Sequence, residues 1–201
     1  MKLIGDYAKE YLQDLKNVLD RLPLAELDKI AGAIESAHAA GKQIFIIGNG
    51  GSAATASHMM NDLNKGTLGH NPDKEGSSGW KRFKVIALTD NVSLMTAWAN
   101  DTNFNAVFGE PLKNLANRGD VLIAISASGN SPNIVAAVEV AKQLGLIVLG
   151  LGGFTGGKLA QLADVCFVVP SNGYGPVEDV HMILDHILTG YLYEKLKEQS
   201  R

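Results

Sequence analysis

The sequence is poor in cysteine, has no long apolar run and carries no large excess of charge of either sign. The single cysteine, Cys166, has no second cysteine with which to form a disulfide, as is usual in a reducing compartment. No apolar stretch approaches the ~20 residues that cross a bilayer, and the first residues lack the apolar core of a secretion signal. We therefore expect a cytoplasmic protein without a membrane segment.

The charges nearly balance, with 21 acidic and 18 basic residues and a net charge of -3. Such a chain has no general attraction to nucleic acid or to an anionic membrane, so we expect neither as a partner. Any phosphate must be bound locally, by backbone amides, helix ends and hydroxyl groups. The length of 201 residues and the 46% of hydrophobic residues favour one domain that covers residues 1–201.

Five short apolar runs lack the polar alternation of a half-exposed strand, which indicates strands that are covered on both faces. These runs are residues 44–47, 85–88, 121–125, 147–151 and 165–169. Helical patterns follow them, at about 52–64, 92–99, 106–117, 132–144 and 157–163. The alternation predicts an α/β fold with a three-layer, doubly wound sheet of five parallel strands.

Further helices are predicted at both ends of this alternation. Two helical patterns, at about 6–21 and 24–40, precede the first strand, and a long one at about 176–197 closes the chain. Residues 66–81, rich in glycine and serine, are predicted to be a loop-like insertion. In doubly wound sheets, ligands bind beyond the carboxyl ends of the strands, so the segments after each strand are the place to look for a site.

The first strand runs directly into a segment that we call the glycine loop. It consists of Gly48, Asn49, Gly50, Gly51 and Ser52. Glycines let the backbone turn tightly, and the free N–H groups of the helix that follows favour an anion. The spacing fits neither a dinucleotide-binding loop nor a Walker loop. Alone, the segment predicts either an anion site or a tight strand-to-helix turn.

The third strand ends in a segment that we call the serine loop. It consists of Ser126, Ala127, Ser128, Gly129, Asn130 and Ser131, and Pro132 follows at a position suited to the first turn of a helix. One serine there is explained by helix capping, whereas three hydroxyl groups around one turn favour a phosphate site. Two anion-suited loops at the same edge of a sheet strengthen that interpretation.

Titratable residues occur on two of the predicted helices. His58 and Asp62 are four residues apart and share one face of their helix. The closing helix adds a second set: Glu178, Asp179, His181, Asp185 and His186. Imidazole and carboxylate are zinc ligands, yet single histidines on helices are more often packed or solvent-facing residues, so the residue types alone leave a metal site open.

The glycine loop with Ala53, Ala54 and His58, together with the serine loop, resembles the SIS (sugar isomerase) family. Within it the chain is most similar to the phosphoheptose isomerases, over nearly its whole length. The resemblance implies a flavodoxin-like sheet and an aldose–ketose isomerase. Its reaction would convert sedoheptulose 7-phosphate into D-glycero-D-manno-heptose 7-phosphate through an enediol or enediolate.

The resemblance also implies one zinc ion per subunit, bound by His58, Asp62, Glu178 and His186. Aspartate at position 62 stands where the family has glutamate, so its shorter carboxylate must come closer or act through water. Glutamate at position 178 stands where the family has glutamine. Its extra negative charge should strengthen cation binding but repel a sugar enolate.

For the chemistry, either Asp62 or His186 is the expected base, and the other would move protons between the substrate oxygens. Zinc would act as a Lewis acid. Asn100 and Asp101 are expected to contact the sugar, although they could also cap a turn. No arginine stands near Lys65, where the family has one. The residues expected to contact substrate are Asn49, Gly50, Gly51, Ser52, Asp62, Asn100, Asp101, Ser126, Ala127, Ser128, Ser131 and Glu178.

The family resemblance further implies a homotetramer with active sites at subunit interfaces. Two other functions stay open at this point. One is an isomerase of another sugar phosphate, which the departures at positions 62 and 178 and the missing arginine near Lys65 favour. The other is a non-catalytic SIS module that senses sugar phosphates or regulates a partner. Such a module has no need of the histidine and carboxylate residues, and their presence favours the enzyme.

Overall fold

A computed structural model describes residues 2–200 as a five-stranded sheet with helices on both faces. The strands are β1 (Ile44–Gly48), β2 (Val85–Ala87), β3 (Val121–Ser126), β4 (Ile147–Gly152) and β5 (Val165–Val168). All pairs are parallel, and the strand order is β2-β1-β3-β4-β5, the order of flavodoxin-like folds. The predicted α/β fold is thereby confirmed.

Nine α-helices accompany the sheet in the described part of the chain. They are α1 (Ile4–Leu19), α2 (Leu24–Ala39), α3 (Gly51–Asn64), α4 (Pro72–Glu75), α5 (Val92–Asp101), α6 (Ala106–Leu115), α7 (Pro132–Leu144), α8 (Gly157–Leu162) and α9 (Tyr174–Gln199). The two leading helices and the long closing helix were all predicted. Within residues 2–200, no helix combines the length and the apolar character needed to span a membrane.

The sheet has a buried core on each face. Within β1, Ile44 and Ile46 belong to the core that includes residues of α2, α3 and α9, whereas Phe45 and Ile47 belong to the core beside α6 and α7. All four side chains are buried. Side chains of a strand alternate between faces, so a strand covered on both sides must be apolar at every position. This burial explains the unbroken apolar runs in the sequence.

The register between β1 and β3 brings the two loops together. Gly48 at the end of β1 pairs with Ile125 near the end of β3. The chain leaves β1 for the edge strand β2 and later returns to β3 on the other side, so the strand order reverses at this point. Ligands of doubly wound folds bind at such a reversal, and both the glycine loop and the serine loop begin there.

The insertion at 66–81 is more ordered than the expected loop. It contains a short 3-10 helix (Gly66–Leu68) and α4, whose first turn has Asn71 as its cap, accepting a hydrogen bond from the N–H of Lys74 at 3.2 Å. The Tyr193 hydroxyl of α9 donates to Glu75 Oε2 at 3.1 Å. Trp80 lies against the Tyr193 ring, with centroids 5.9 Å apart. The insertion is therefore held on α9.

Candidate active site

The glycine loop passes between β1 and α3 in a conformation that requires glycine. Gly50 has φ +55°, and a Cβ added at Gly48 would lie 2.4 Å from the backbone oxygen of Ser52. At Gly51 an added Cβ would lie 2.6 Å from Glu178 Oε2, so the α9 carboxylate rests directly against the start of α3. The loop thus allows close approach of both a ligand and α9.

Beside this loop, the serine loop closes a small cavity of about 130 Å³. The polar residues that line it are Asn49, Ser52, Ser126, Ser128, Ser131, Tyr174 and Glu178, and Ile125 and Ala127 complete the wall. The Ser126 and Ser131 hydroxyls are 3.5 Å apart. The side-chain amides of Asn49 and Asn133 exchange two hydrogen bonds of 2.8 Å, which fixes the glycine loop to α7. Hydroxyl donors of the serine loop and the N-terminal end of α3 therefore line the same cavity.

A group of four titratable side chains lies further along α3, where that helix meets α9. Its members are His58, Asp62, Asp185 and His186, and one ligand atom from each lies within 4.8 Å of all the others. His58 Nε2 is 3.4 Å from Asp62 Oδ2 and 3.3 Å from His186 Nε2. Both histidines are exposed, Asp62 is half-buried and Asp185 is fully buried, so Asp185 forms the floor of a group that is open to solvent.

Asp185 is the unusual member of this group. Among residues 2–200 its Oδ2 atom has no hydrogen-bond partner, while its Oδ1 atom accepts a bond of 3.4 Å from the Thr189 hydroxyl. Burial and, next in size, the nearby charge of Asp62 raise the pKa of the Asp185 carboxyl to about 7. A buried carboxylate without a partner is costly, so this atom is suited to a cation.

His181 on the same helix has a different environment. It is fully buried, and its Nε2–H donates to the carbonyl of Gly152 at 3.1 Å. Burial lowers the pKa of His181 to about 4, so the ring is neutral at physiological pH. It is not a member of the metal-suited group. His181 is therefore a core residue that joins α9 to the end of β4.

The structure brings together three of the four expected metal ligands: His58, Asp62 and His186. Glu178 is instead part of the serine-loop cavity and is not a member of the metal-suited group. The Asp62 carboxylate lies beside His58, within the same group, and its expected approach to a metal stays a prediction.

Asn100 and Asp101 lie apart from both groups. They form the exposed end of α5, and Asn100 Nδ2 donates to Asp101 Oδ1 at 2.8 Å. Neither residue lines the serine-loop cavity. Within residues 2–200, the side chains of Asn100 and Asp101 form a hydrogen bond only with each other. Their expected contact with the sugar stays a prediction.

A second cavity of about 370 Å³ opens on the other side of Asp62. Its wall combines α3 residues, the insertion and α9, and it includes Lys65, His70, Glu75 and Tyr193. The family resemblance implies an arginine near this place, whereas the wall of this cavity has Lys65 and His70. A difference from the family on this side of the site therefore stays a prediction.

The fold, the two loops and the histidine–carboxylate group define an α/β protein with a candidate ligand site beyond the carboxyl ends of its strands. The SIS domain family model matches residues 7–153, well over half of the chain, and the chain belongs to this family.

Within this family, the similarity to phosphoheptose isomerases extends over nearly the whole chain. The phosphoheptose isomerase of Aliarcobacter butzleri is 37% identical over 185 residues, which cover 90% of this chain and 92% of that protein. The phosphoheptose isomerase of Aneurinibacillus thermoaerophilus is 32% identical, with 96% of both chains covered. The solved phosphoheptose isomerase of Neisseria gonorrhoeae superimposes with a TM-score of 0.84 at 26% identity, over 94% of this chain and 98% of its own.

Proposed function

We propose that the protein interconverts sedoheptulose 7-phosphate and D-glycero-D-manno-heptose 7-phosphate through an enediol or enediolate. The observation that carries this proposal is the arrangement along α3. The helix starts beside the serine-loop cavity at Ser52 and presents His58 six residues later. At 1.5 Å per residue the two lie about 9 Å apart along the axis, a separation that an extended sugar phosphate can bridge. Full-length similarity to phosphoheptose isomerases supports the same reaction.

We assign phosphate binding to the serine-loop cavity. The hydroxyl groups of Ser52, Ser126, Ser128 and Ser131 would donate to the phosphate oxygens, helped by the free N–H groups at the start of α3. Among residues 2–200 no lysine or arginine lines this cavity, so hydroxyls and backbone dipoles must compensate the charge. Binding energy from the distant phosphate orients the sugar at the other end, so a dephosphorylated sugar should react poorly.

We assign proton transfer to the histidine–carboxylate group. One of Asp62 and His186 would act as the base that removes a proton from the carbon beside the carbonyl. The other would move protons between the two oxygens. We propose that His58, Asp62 and His186 also hold one zinc ion. A zinc ion bound there supplies Lewis-acid stabilisation of negative charge on the substrate oxygens.

We further propose that the chain assembles as a homotetramer in the cytoplasm, with active sites at subunit interfaces. Several apolar side chains of the leading helix and the residue before it are exposed in the single chain: Leu3, Ile4, Tyr7 and Leu12. Exposed apolar residues that cluster on one element are typical of a protein interface. Light scattering coupled to size-exclusion chromatography should give about four times the mass of the 21.4 kDa chain, and a monomer would contradict the assembly.

The direct test is a panel of ketose phosphates with five, six and seven carbons, each incubated with the purified protein and followed by NMR. We expect turnover of sedoheptulose 7-phosphate with a kcat/KM well above that for the shorter sugars. Preference for a shorter sugar would favour the alternative, an isomerase of another sugar phosphate. Two features favour that alternative: the insertion, and the cavity beside Asp62, which has Lys65 and His70 near the place where the resemblance implies an arginine. Binding without conversion of any sugar would indicate a sensor.

A further inference from the structure

We propose that Asp185, and not Glu178, completes the metal site, which leaves Glu178 to bind hydroxyl groups of the substrate. This inference rests on the proposed metal-assisted isomerase. It concerns the way in which this chain departs from the His, Glu, Gln, His set that the family resemblance implies.

The placement of Asp185 is the first argument. Buried residues of α9 form a stripe at helical spacing, and Asp185 lies on it between Leu184 and Leu188. Its side chain is fully buried, and its Oδ2 atom lacks a hydrogen-bond partner within residues 2–200. Natural proteins rarely leave such an atom unpaired, because an unsatisfied buried carboxylate is expensive. The same Oδ2 atom points to the group and lies 4.0 Å from His58 Nε2.

The spacing of the donor atoms is the second argument. Ligand atoms at about 2.0–2.2 Å from a tetrahedral zinc ion are about 3.4 Å from one another. In the structure the corresponding separations from His58 Nε2 are 3.3 Å to His186, 3.4 Å to Asp62 and 4.0 Å to Asp185. Two imidazole Nε2 atoms that face each other this closely need a proton or a cation between them. The four donors therefore fit one cation after small side-chain movements.

The charge balance is the third argument. Neither Asp62 nor Asp185 has a lysine or arginine partner among the ion pairs of residues 2–200. Two carboxylates and two neutral imidazoles neutralise a divalent cation. Adding Glu178 as a further ligand would leave a net negative site, which would repel an enediolate. Asp185 as the fourth ligand gives a neutral site.

The position of Glu178 is the fourth argument. It lies seven residues before Asp185 on α9, which is about 10 Å along the helix axis. Its carboxylate rests against Gly51, where an added Cβ would lie 2.6 Å from Oε2 and 2.8 Å from Oε1. It also lines the serine-loop cavity. A carboxylate is an acceptor only, so at this place it suits the hydroxyl groups of a sugar.

The test compares Asp185→Asn with Glu178→Gln, two nearly isosteric changes that each remove one negative charge from α9. Metal-free protein is titrated with Zn²⁺ by calorimetry and with Co²⁺ by visible absorption, and bound metal per chain is counted by mass spectrometry. We expect Asp185→Asn to weaken cation binding by at least the ~10–100-fold that loss of an outer-shell partner costs. Its Co²⁺ spectrum should also change. Glu178→Gln should keep the wild-type affinity and spectrum, and its KM for sugar phosphate should rise.

Two results would overturn the inference: wild-type cation affinity in Asp185→Asn, or weakened affinity in Glu178→Gln only. If Asp185→Asn does not fold, as judged by circular dichroism, Asp185→Glu serves instead. That variant keeps the carboxylate, and it should bind Co²⁺ with an altered spectrum; an unaltered spectrum contradicts the assignment. A wild-type protein that isomerises sugar phosphates with an Asp185-independent cation contradicts only this inference. One that binds the cation through Asp185 and converts no sugar contradicts only the proposed function.

Discussion

His58 on α3 and His186 on α9 approach each other with their Nε2 atoms 3.3 Å apart, although 128 residues separate them in the sequence. The contact joins the helix that starts at the glycine loop to the helix that closes the chain. The serine-loop cavity, which we propose binds phosphate, and the group that we propose transfers protons are thereby connected by the same two helices. The consequences can be tested separately for the metal, the acid–base residues, the phosphate cavity and the buried histidine.

Removal of metal should lower the thermal stability of the protein. A cation present at 100 times its Kd stabilises the native state by about 2.7 kcal/mol, which raises the Tm of a chain of this size by roughly 5–10 °C. Melting curves in excess Zn²⁺ and in chelator measure this difference. The His186→Ala variant, which lacks one proposed ligand, should show little response. An equal Tm of the wild type under both conditions would contradict a metal site.

Asp62→Asn and His186→Ala should each reduce kcat by about 10²–10⁴-fold, because a positioned acid or base contributes that much. Both variants should keep the wild-type circular dichroism, since His186 is exposed and Asp62 is only half-buried. Asp28→Asn, an exposed change on α2, serves as the matched control and should keep full activity. Full isomerase activity in His186→Ala would remove that residue from the mechanism.

Ser128→Ala should raise KM for the sugar phosphate with a smaller effect on kcat. A hydrogen bond to a charged group contributes about 1.5–3 kcal/mol, so kcat/KM should fall roughly 10-fold or more. Steady-state kinetics on both substrates of the reaction would measure this change. Ser36→Ala, on the exposed surface of α2, removes a hydroxyl far from the cavity and should leave both constants unchanged. An unchanged KM in Ser128→Ala would place the phosphate elsewhere.

His181 should make the protein less stable in mild acid. Its pKa is about 4 in the native state against an ordinary value of 6.5. Between these values the unfolded chain binds a proton that the native chain does not, so the stabilising contribution is present above pH 6.5 and is lost as pH falls towards 4. The free energy of unfolding should fall by up to about 1.4 kcal/mol per pH unit.

The His181→Gln variant isolates this effect, because glutamine can donate to the Gly152 carbonyl but does not titrate. Denaturant unfolding at several pH values between 4 and 8 measures both proteins. We expect a shallower decline for the variant below pH 6.5 and parallel behaviour above it. Identical slopes for the two proteins would show that His181 is not the group responsible.

Much of the fold could be predicted because burial on both faces forces every strand position to be apolar, as at Phe45 and Ile46 in β1. The insertion could not be predicted as well. Its short helix depends on a cap from Asn71 and on the contact between Glu75 and Tyr193, and that contact joins segments far apart in the sequence. Local patterns carry no information about such a contact.

Part of the candidate site could also be predicted. The residues of each loop are consecutive in the sequence and follow a predicted strand, so their placement together at the ends of β1 and β3 could be predicted, and the phosphate that they would bind stays a prediction. Asp185 was visible as a titratable residue of the closing helix, yet the family resemblance directed attention to Glu178. The sequence did contain a signal that Asp185 is buried, because helical spacing places it on the same face of α9 as Leu184 and Leu188. The point where α9 crosses α3 is set by tertiary packing, and this decides which carboxylate meets His58.

The measurement that tests the central claim most directly is the conversion of sedoheptulose 7-phosphate in D₂O, followed by ¹H NMR with added zinc and with chelator. The enediol route predicts formation of the aldose heptose phosphate with solvent deuterium at C2, turnover that falls when metal is removed, and turnover about 10²–10⁴-fold slower in Asp62→Asn. If the zinc-loaded wild-type protein gives neither aldose product nor deuterium exchange, the proposed isomerase activity is contradicted.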